Sequence, residues 1–123
     1  MKNYILILFC FIINFALGQD TMYLDDNFEE IKSFKEASFY KTIAKLDNNN
    51  NVLERFYYKS GQIKSETEFK LTENNKKSYN GNHKIWYESG ELRFVALYKN
   101  GKKNGEFLSY WKNGILKRKD YYK

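Results

Sequence analysis

The sequence predicts an all-β protein built from three related antiparallel hairpin units. A spaced residue template recurs three times, and glycine and asparagine punctuate the runs between copies. Aromatic residues make up 19% of the chain and proline is absent. Tyrosine and phenylalanine suit the half-buried, pleated surface of a sheet.

The template is an aromatic, two residues, Gly, one residue, Ile or Leu, five residues, and a second aromatic. Its copies are Tyr58, Gly61, Ile63, Phe69; Tyr87, Gly90, Leu92, Tyr98; and Trp111, Gly114, Leu116, Tyr122. Gly81 and Gly105 each precede the next template glycine by nine residues. The glycines Gly61, Gly90 and Gly114 lie 29 and 24 residues apart, and the excess of the first interval falls in the polar stretch 72–80, which reads as a longer loop. A period of this size marks a repeat architecture in which each unit is one supersecondary element. Ser60-Gly61, Ser89-Gly90, Asn113-Gly114 and Asn100-Gly101 read as tight primed turns, because glycine adopts positive φ without steric cost. Strands are expected near 38–46, 52–58, 62–70, 83–88, 91–98, 105–111 and 115–122, with a turn at 48–51.

Strict alternation then assigns faces. Ile63 with Phe69, Leu92 with Phe94 and Tyr98, and Leu116 with Tyr122 should share an apolar face. Lys64, Glu66, Glu68, Arg93, Lys117 and Lys119 should form the charged one. Stacked units then bury an apolar stripe that one hairpin cannot bury alone.

The run Tyr98-Lys-Asn-Gly101-Lys-Lys-Asn-Gly105-Glu-Phe-Leu-Ser-Tyr-Trp-Lys-Asn-Gly114 resembles the MORN-repeat-variant pattern of Tyr-x-x-Gly-x-x-x-Gly, an aromatic pair and Asn-Gly. Gly81 to Tyr98 is similar but lacks the preceding tight glycine turn, and the first copy lacks a glycine equivalent to Gly81 or Gly105. The resemblance covers roughly residues 52–123, with copies near 52–70, 81–98 and 105–122. It implies an elongated antiparallel β-hairpin repeat sheet used for protein or membrane contacts. Some bacterial relatives of this kind are described as antitoxins of toxin–antitoxin pairs, which implies an antitoxin-like protein that neutralises a partner.

At 123 residues the chain is long enough for one small domain. Residues 1–18 read as a secretory signal peptide: Lys2, an apolar stretch from Tyr4 to Leu17, and small residues at Ala16 and Gly18. An uncleaved anchor is the alternative, although the run falls short of the ~20 apolar residues that span a bilayer. Cys10, the only cysteine, lies inside this run behind a bulky Phe9 and does not suit lipid attachment. The mature chain therefore holds no disulfide. The expected location is periplasmic, envelope-associated or secreted.

Residues 19–36 carry six acids and two bases, and residues 37–123 carry nine acids and eighteen bases. A basic body attracts anionic partners or its own acidic segment, or is kept soluble by solvated lysines. Asp26 and Glu29 suggest a capping box ahead of Phe28, Ile31 and Phe34, and so a short helix near 27–36 that covers the first strand, with a flexible acidic tail as the alternative.

The chemistry of catalysis is sparse. His83 is the only histidine, and neither a zinc ligand set nor a Ser-His-acid motif accompanies it. Glu66 and Glu68 lie on a predicted open face, without the enclosed pocket that tunes a carboxyl group. The expectation is a non-enzyme with no cofactor and no metal. Each copy does carry an aromatic pair: Tyr57-Tyr58, Trp86-Tyr87 and Tyr110-Trp111. Neighbouring strand residues point to opposite faces. Tyr57, Trp86 and Tyr110 therefore form a candidate binding ladder, with Arg93, Lys117 and Lys119 as a candidate basic face, unless both aromatic sets are core. Exposed aromatics beside bases are typical of binding hot spots. Export argues against nucleic acid. A protein partner is favoured, partly because the last strand offers an open edge for strand addition; an anionic lipid surface or a glycan is the alternative. The expected function is an exported module mediating protein–protein contacts in the cell envelope or outside the cell.

Overall fold

The computed structural model describes residues 20–123. The expected signal peptide, residues 1–18, lies outside the described residues. Nine strands form one antiparallel sheet: β1 (Asp20–Leu24), β2 (Glu30–Ile31), β3 (Phe39–Lys45), β4 (Asn51–Tyr58), β5 (Ile63–Leu71), β6 (Lys77–Trp86), β7 (Leu92–Lys99), β8 (Lys102–Tyr110) and β9 (Leu116–Tyr122). Their order is β2-β1-β3-β4-β5-β6-β7-β8-β9. From β3 onward the chain is a meander of hairpins, about 30 Å across at roughly 4.8 Å per strand.

The three repeat turns are not the primed turns expected. Tyr58 N–H donates to Gln62 O and Gly61 N–H to Tyr58 O, both at 2.9 Å. Tyr87 with Glu91 and Gly90, and Trp111 with Ile115 and Gly114, repeat this pattern. Within these loops only the glycine has positive φ, at +93°, +103° and +83°. This is a three-residue loop in which a type I turn is followed by a left-handed glycine. Asn100-Gly101 is the primed case, with both residues at positive φ. The stretch 72–80 is not a long loop either. Thr72 to Lys76 makes the three-residue turn with Asn75 in the glycine's role, and β5 and β6 extend towards it.

A bulge lies behind each of the three repeat turns, whereas the strands behind Thr72–Lys76 pair regularly from Leu71–Lys77 to Phe69–Tyr79. Tyr57 pairs Ile63 but Phe56 pairs Ser65; Trp86 pairs Leu92 but Ile85 pairs Phe94; Tyr110 pairs Leu116 but Ser109 pairs Arg118. Lys64, Arg93 and Lys117 are the extra residues. Each bulge flips the face on which the start of the return strand lies relative to its remainder. Ile63, Leu92 and Leu116 therefore lie opposite Phe69, Phe94 and Tyr122, correcting the faces that strict alternation gave.

A second pair of bulges sits mid-strand. Asn80, Gly81 and Asn82 face the single Glu68, and Asn104, Gly105 and Glu106 face the single Leu97. Both glycines have positive φ. In the first copy Val52 stands nine residues before Gly61, where the others have glycine, and β3 pairs β4 without a break from Phe39–Tyr58 to Lys45–Val52.

The buried strand residues Leu24, Val52, Glu54, Thr67, Phe69, Ala96 and Phe107 all lie on one face, here the front. Among the described residues no large side chain is completely buried. With no second layer among the described residues, front-face rings cover one another. Phe69 meets Tyr79 at 4.9 Å, Tyr79 meets Tyr98 at 4.8 Å, Tyr98 meets Phe107 at 5.6 Å and Phe107 meets Tyr122 at 4.9 Å. Tilted and edge-on pairs of this kind add about 0.5–1.5 kcal/mol each beyond their burial.

The helix expected near 27–36 does not form. The Asp25 carboxylate accepts from the backbone of Asn27 and Glu29, holding Phe28 at φ +63°, which no helix contains. Only Phe34–Glu36 makes a 3-10 turn. Asp26 accepts from the Ser38 hydroxyl instead of capping a helix. Phe28 stacks on Phe39 at the front, whereas Phe34 packs on Tyr23 and Tyr40 at the back. The segment still covers β3, by pairing β1 along it.

The two kinds of glycine should differ in tolerance. A Cβ at Gly114 meets nothing within 4 Å, so Gly114→Ala carries only the left-handed backbone cost of about 1–2 kcal/mol. A Cβ at Gly81 falls 2.9 Å from the Glu68 Cβ and overlaps its carboxylate. Denaturant titration should show Gly81→Ala losing clearly more stability than Gly114→Ala.

Candidate binding surface

The back face carries Tyr57, Trp86 and Tyr110, each half-buried and paired in register with Ile63, Leu92 or Leu116. Successive rungs lie two strands apart, roughly 10 Å, too far for their rings to stack. The ladder is thus a row of separate aromatic–aliphatic patches. Tyr57 stacks on Tyr40 at 4.8 Å, and with Thr21, Tyr23, Phe34 and Lys59 the two line an open cleft of about 560 Å³. Burial, and then the neighbouring Tyr57 phenol, push the Tyr40 hydroxyl above its ordinary pKa. Lys59 closes one side by donating to Lys35 O at 2.6 Å. Glu66 is held by Arg55 at 2.7 Å, and Glu68 accepts from Asn82 N–H.

The front face carries the other member of each aromatic pair, and here the extra residue of each bulge acquires a role. Lys64 sits over the Tyr58 ring at 5.4 Å, Arg93 over Tyr87 at 5.5 Å and Lys117 over Trp111 at 4.3 Å. Each copy therefore ends in a cation–π clamp, worth about 0.5–1 kcal/mol when exposed. Tyr87 is also approached by Lys112 at 6.0 Å, and its hydroxyl donates to Tyr110 O at 2.8 Å. Arg93 and Lys117 line one pocket of about 410 Å³ with Ile85, Tyr87, Phe94 and Ser109.

The three residues expected to form a basic face are divided. Arg93 and Lys117 belong to these front clamps. Lys119 pairs Leu108 in register and reaches Glu106 at 3.0 Å on the back. Strict alternation put all three together because it counted through the bulges. The clamp was nevertheless legible in the sequence, since a base stands three residues after each template glycine.

His83 lies on the front among Tyr79, Phe94 and Tyr98, and its Nδ1 is 2.8 Å from the Thr67 hydroxyl. Beyond Thr67 the buried Glu54 bonds Lys77 and lies 3.9 Å from Lys41. Among the described residues no three His, Cys, Asp or Glu side chains gather as metal ligands.

The family model for the MORN repeat variant matches residues 50–71, 79–100 and 103–123. The chain belongs to the MORN-repeat-variant family. Each MORN match covers one hairpin, β4–β5, β6–β7 or β8–β9, together with its clamp and its ladder rung. No curated protein and no solved structure gives a match.

Burial lowers the His83 pKa, so the folded MORN sheet resists a proton that the unfolded chain accepts. Stability should be complete above the unfolded value near 6.5 and fall as pH drops below it. Urea midpoints measured between pH 7.5 and 5.5 should show that loss in the wild type and a flatter profile in His83→Gln.

Proposed function

We propose that this MORN-repeat-variant protein is a non-enzymatic, exported binding module that holds another protein in the cell envelope or outside the cell. The observation that carries this is the ladder. Tyr57, Trp86 and Tyr110 occupy one position of each repeat, on a face that contributes none of the sheet's buried residues. Aromatic anchors spaced along an uncovered face give a partner several small hot spots at low conformational cost. Repetition adds them in line, as stacked-unit proteins commonly do. Export rests on the sequence of residues 1–18. Neutralisation of a toxin-like partner is one form that such binding takes.

A second reading draws on charge. The third repeat, residues 103–123, has six bases and two acids, against four and three in residues 50–71 and three and two in residues 79–100. With Trp111 about half exposed beside Lys117, this end suits an anionic membrane surface or a glycan.

The test is a pull-down from envelope extract with tagged residues 19–123, alongside a Tyr57→Ala, Trp86→Ala, Tyr110→Ala variant whose fold is checked by circular dichroism. The ladder reading predicts a protein captured by the wild type and lost by the folded variant. Identical captures, or none, would refute it and favour the charged end; binding there should weaken as salt rises. A variant that unfolds would show the ladder to be structural.

A further inference from the structure

The two edges of the sheet are built differently. One ends in β2, two residues long, and short edge strands are a common way of blunting unwanted pairing. The other ends in β9, seven residues without glycine or proline, regular in register with β8 from Arg118 onward. Among the described residues no strand pairs with its outer side. Five of its seven residues are exposed, Tyr121 at 67%, and the preceding Ile115 is exposed at 61%. An edge of this kind presents a row of unpaired backbone donors and acceptors.

Its charges decide what can pair there. Lys117, Arg118 and Lys119 are consecutive, and Lys123 follows. A second copy of β9 would set bases near bases, which destabilises a cross-strand pairing. An acidic strand meets the opposite situation. Asp120 pairs with Arg118 and Glu106 with Lys119, and with these two acids counted residues 103–123 still keep an excess of four bases.

We propose that β9 accepts an extended acidic segment of a partner protein as a tenth strand. Backbone hydrogen bonds supply affinity and the lysines supply selection. This rests on the reading of the chain as a protein-binding module but uses the outer edge of β9 rather than the ladder.

The test uses a fluorescent peptide as long as β9, alternating glutamate and threonine, followed by anisotropy against the full chain. Two analogues carry N-methyl groups, one on the odd and one on the even amides. Only one set of amides in a strand faces its neighbour, so one analogue should bind like the parent and the other should lose roughly tenfold or more. A lysine–threonine peptide should not bind, and Lys119→Glu should weaken the parent. No binding of the parent, or equal effects of the two methylations, would overturn the proposal. The folded ladder variant separates the two surfaces. It should bind the peptide like the wild type, and loss there would move the peptide onto the ladder and overturn the edge assignment.

Discussion

A nine-stranded sheet over which the described residues lay no second layer must find its apolar cover within its own plane. Here one face does so through rings laid side by side across the strands, from Phe69 through Tyr79, Tyr98 and Phe107 to Tyr122. Small or short side chains fill the row between them, notably Thr67 and Ala96, so that neighbouring rings lean over them. The high aromatic content follows from this constraint. Leucine or valine, with less reach, would leave the strand backbones of an open sheet wet on both sides. The back face holds none of the buried strand residues, and its rings pack on one another only near the N-terminal segment, where Tyr23, Phe34, Tyr40 and Tyr57 meet.

The bulges make this division possible. An aromatic pair on adjacent strand residues is split between faces by the pleat alone. What the pleat does not supply is a base positioned over the front ring. The three-residue turn and its bulge place Lys64, Arg93 and Lys117 there, at the same offset in each copy. The mid-strand bulges at Gly81 and Gly105 then let Tyr79 pair Phe69 and Lys103 pair Tyr98 across an irregular stretch. The first copy, with Val52 in place of the glycine, pairs regularly with β3. It is the copy on which the N-terminal segment docks.

Much of this was legible in the sequence. The repeat spacing gave the hairpins, their order and the three matched units, because glycine at fixed offsets reports a backbone requirement directly. The opposition of Tyr57 to Tyr58, and its equivalents, needed only the pleat. What failed was anything that counted through a bulge. Strict alternation along the return strand passed over Lys64 in its bulge, and that residue reversed Ile63 against Phe69 and hid the clamps. The N-terminal segment misled for a different reason. Phe28, Ile31 and Phe34 have helical spacing, but Asp25 bonds its own backbone more favourably in a turn, and the sheet edge offers Phe28 and Phe34 separate faces to pack on.

Charge is graded along the sheet, from the acidic stretch 20–36 beside β3 to the basic third repeat at β9. The gradient orients the molecule in the field of any charged partner, whichever face makes the closer contacts. The claim beneath all of this is that the rings packed across the middle of the front, with Phe107 buried among them, hold the sheet together more than the ladder rings on the back do. Phe107 and Tyr110 test it within one strand, three residues apart and on opposite faces. Unfolding free energies of Phe107→Ala and Tyr110→Ala should be measured side by side. The account predicts a loss of roughly 3 kcal/mol or more for Phe107→Ala and about 1 kcal/mol for Tyr110→Ala. Equal losses, or the reverse order, would contradict it.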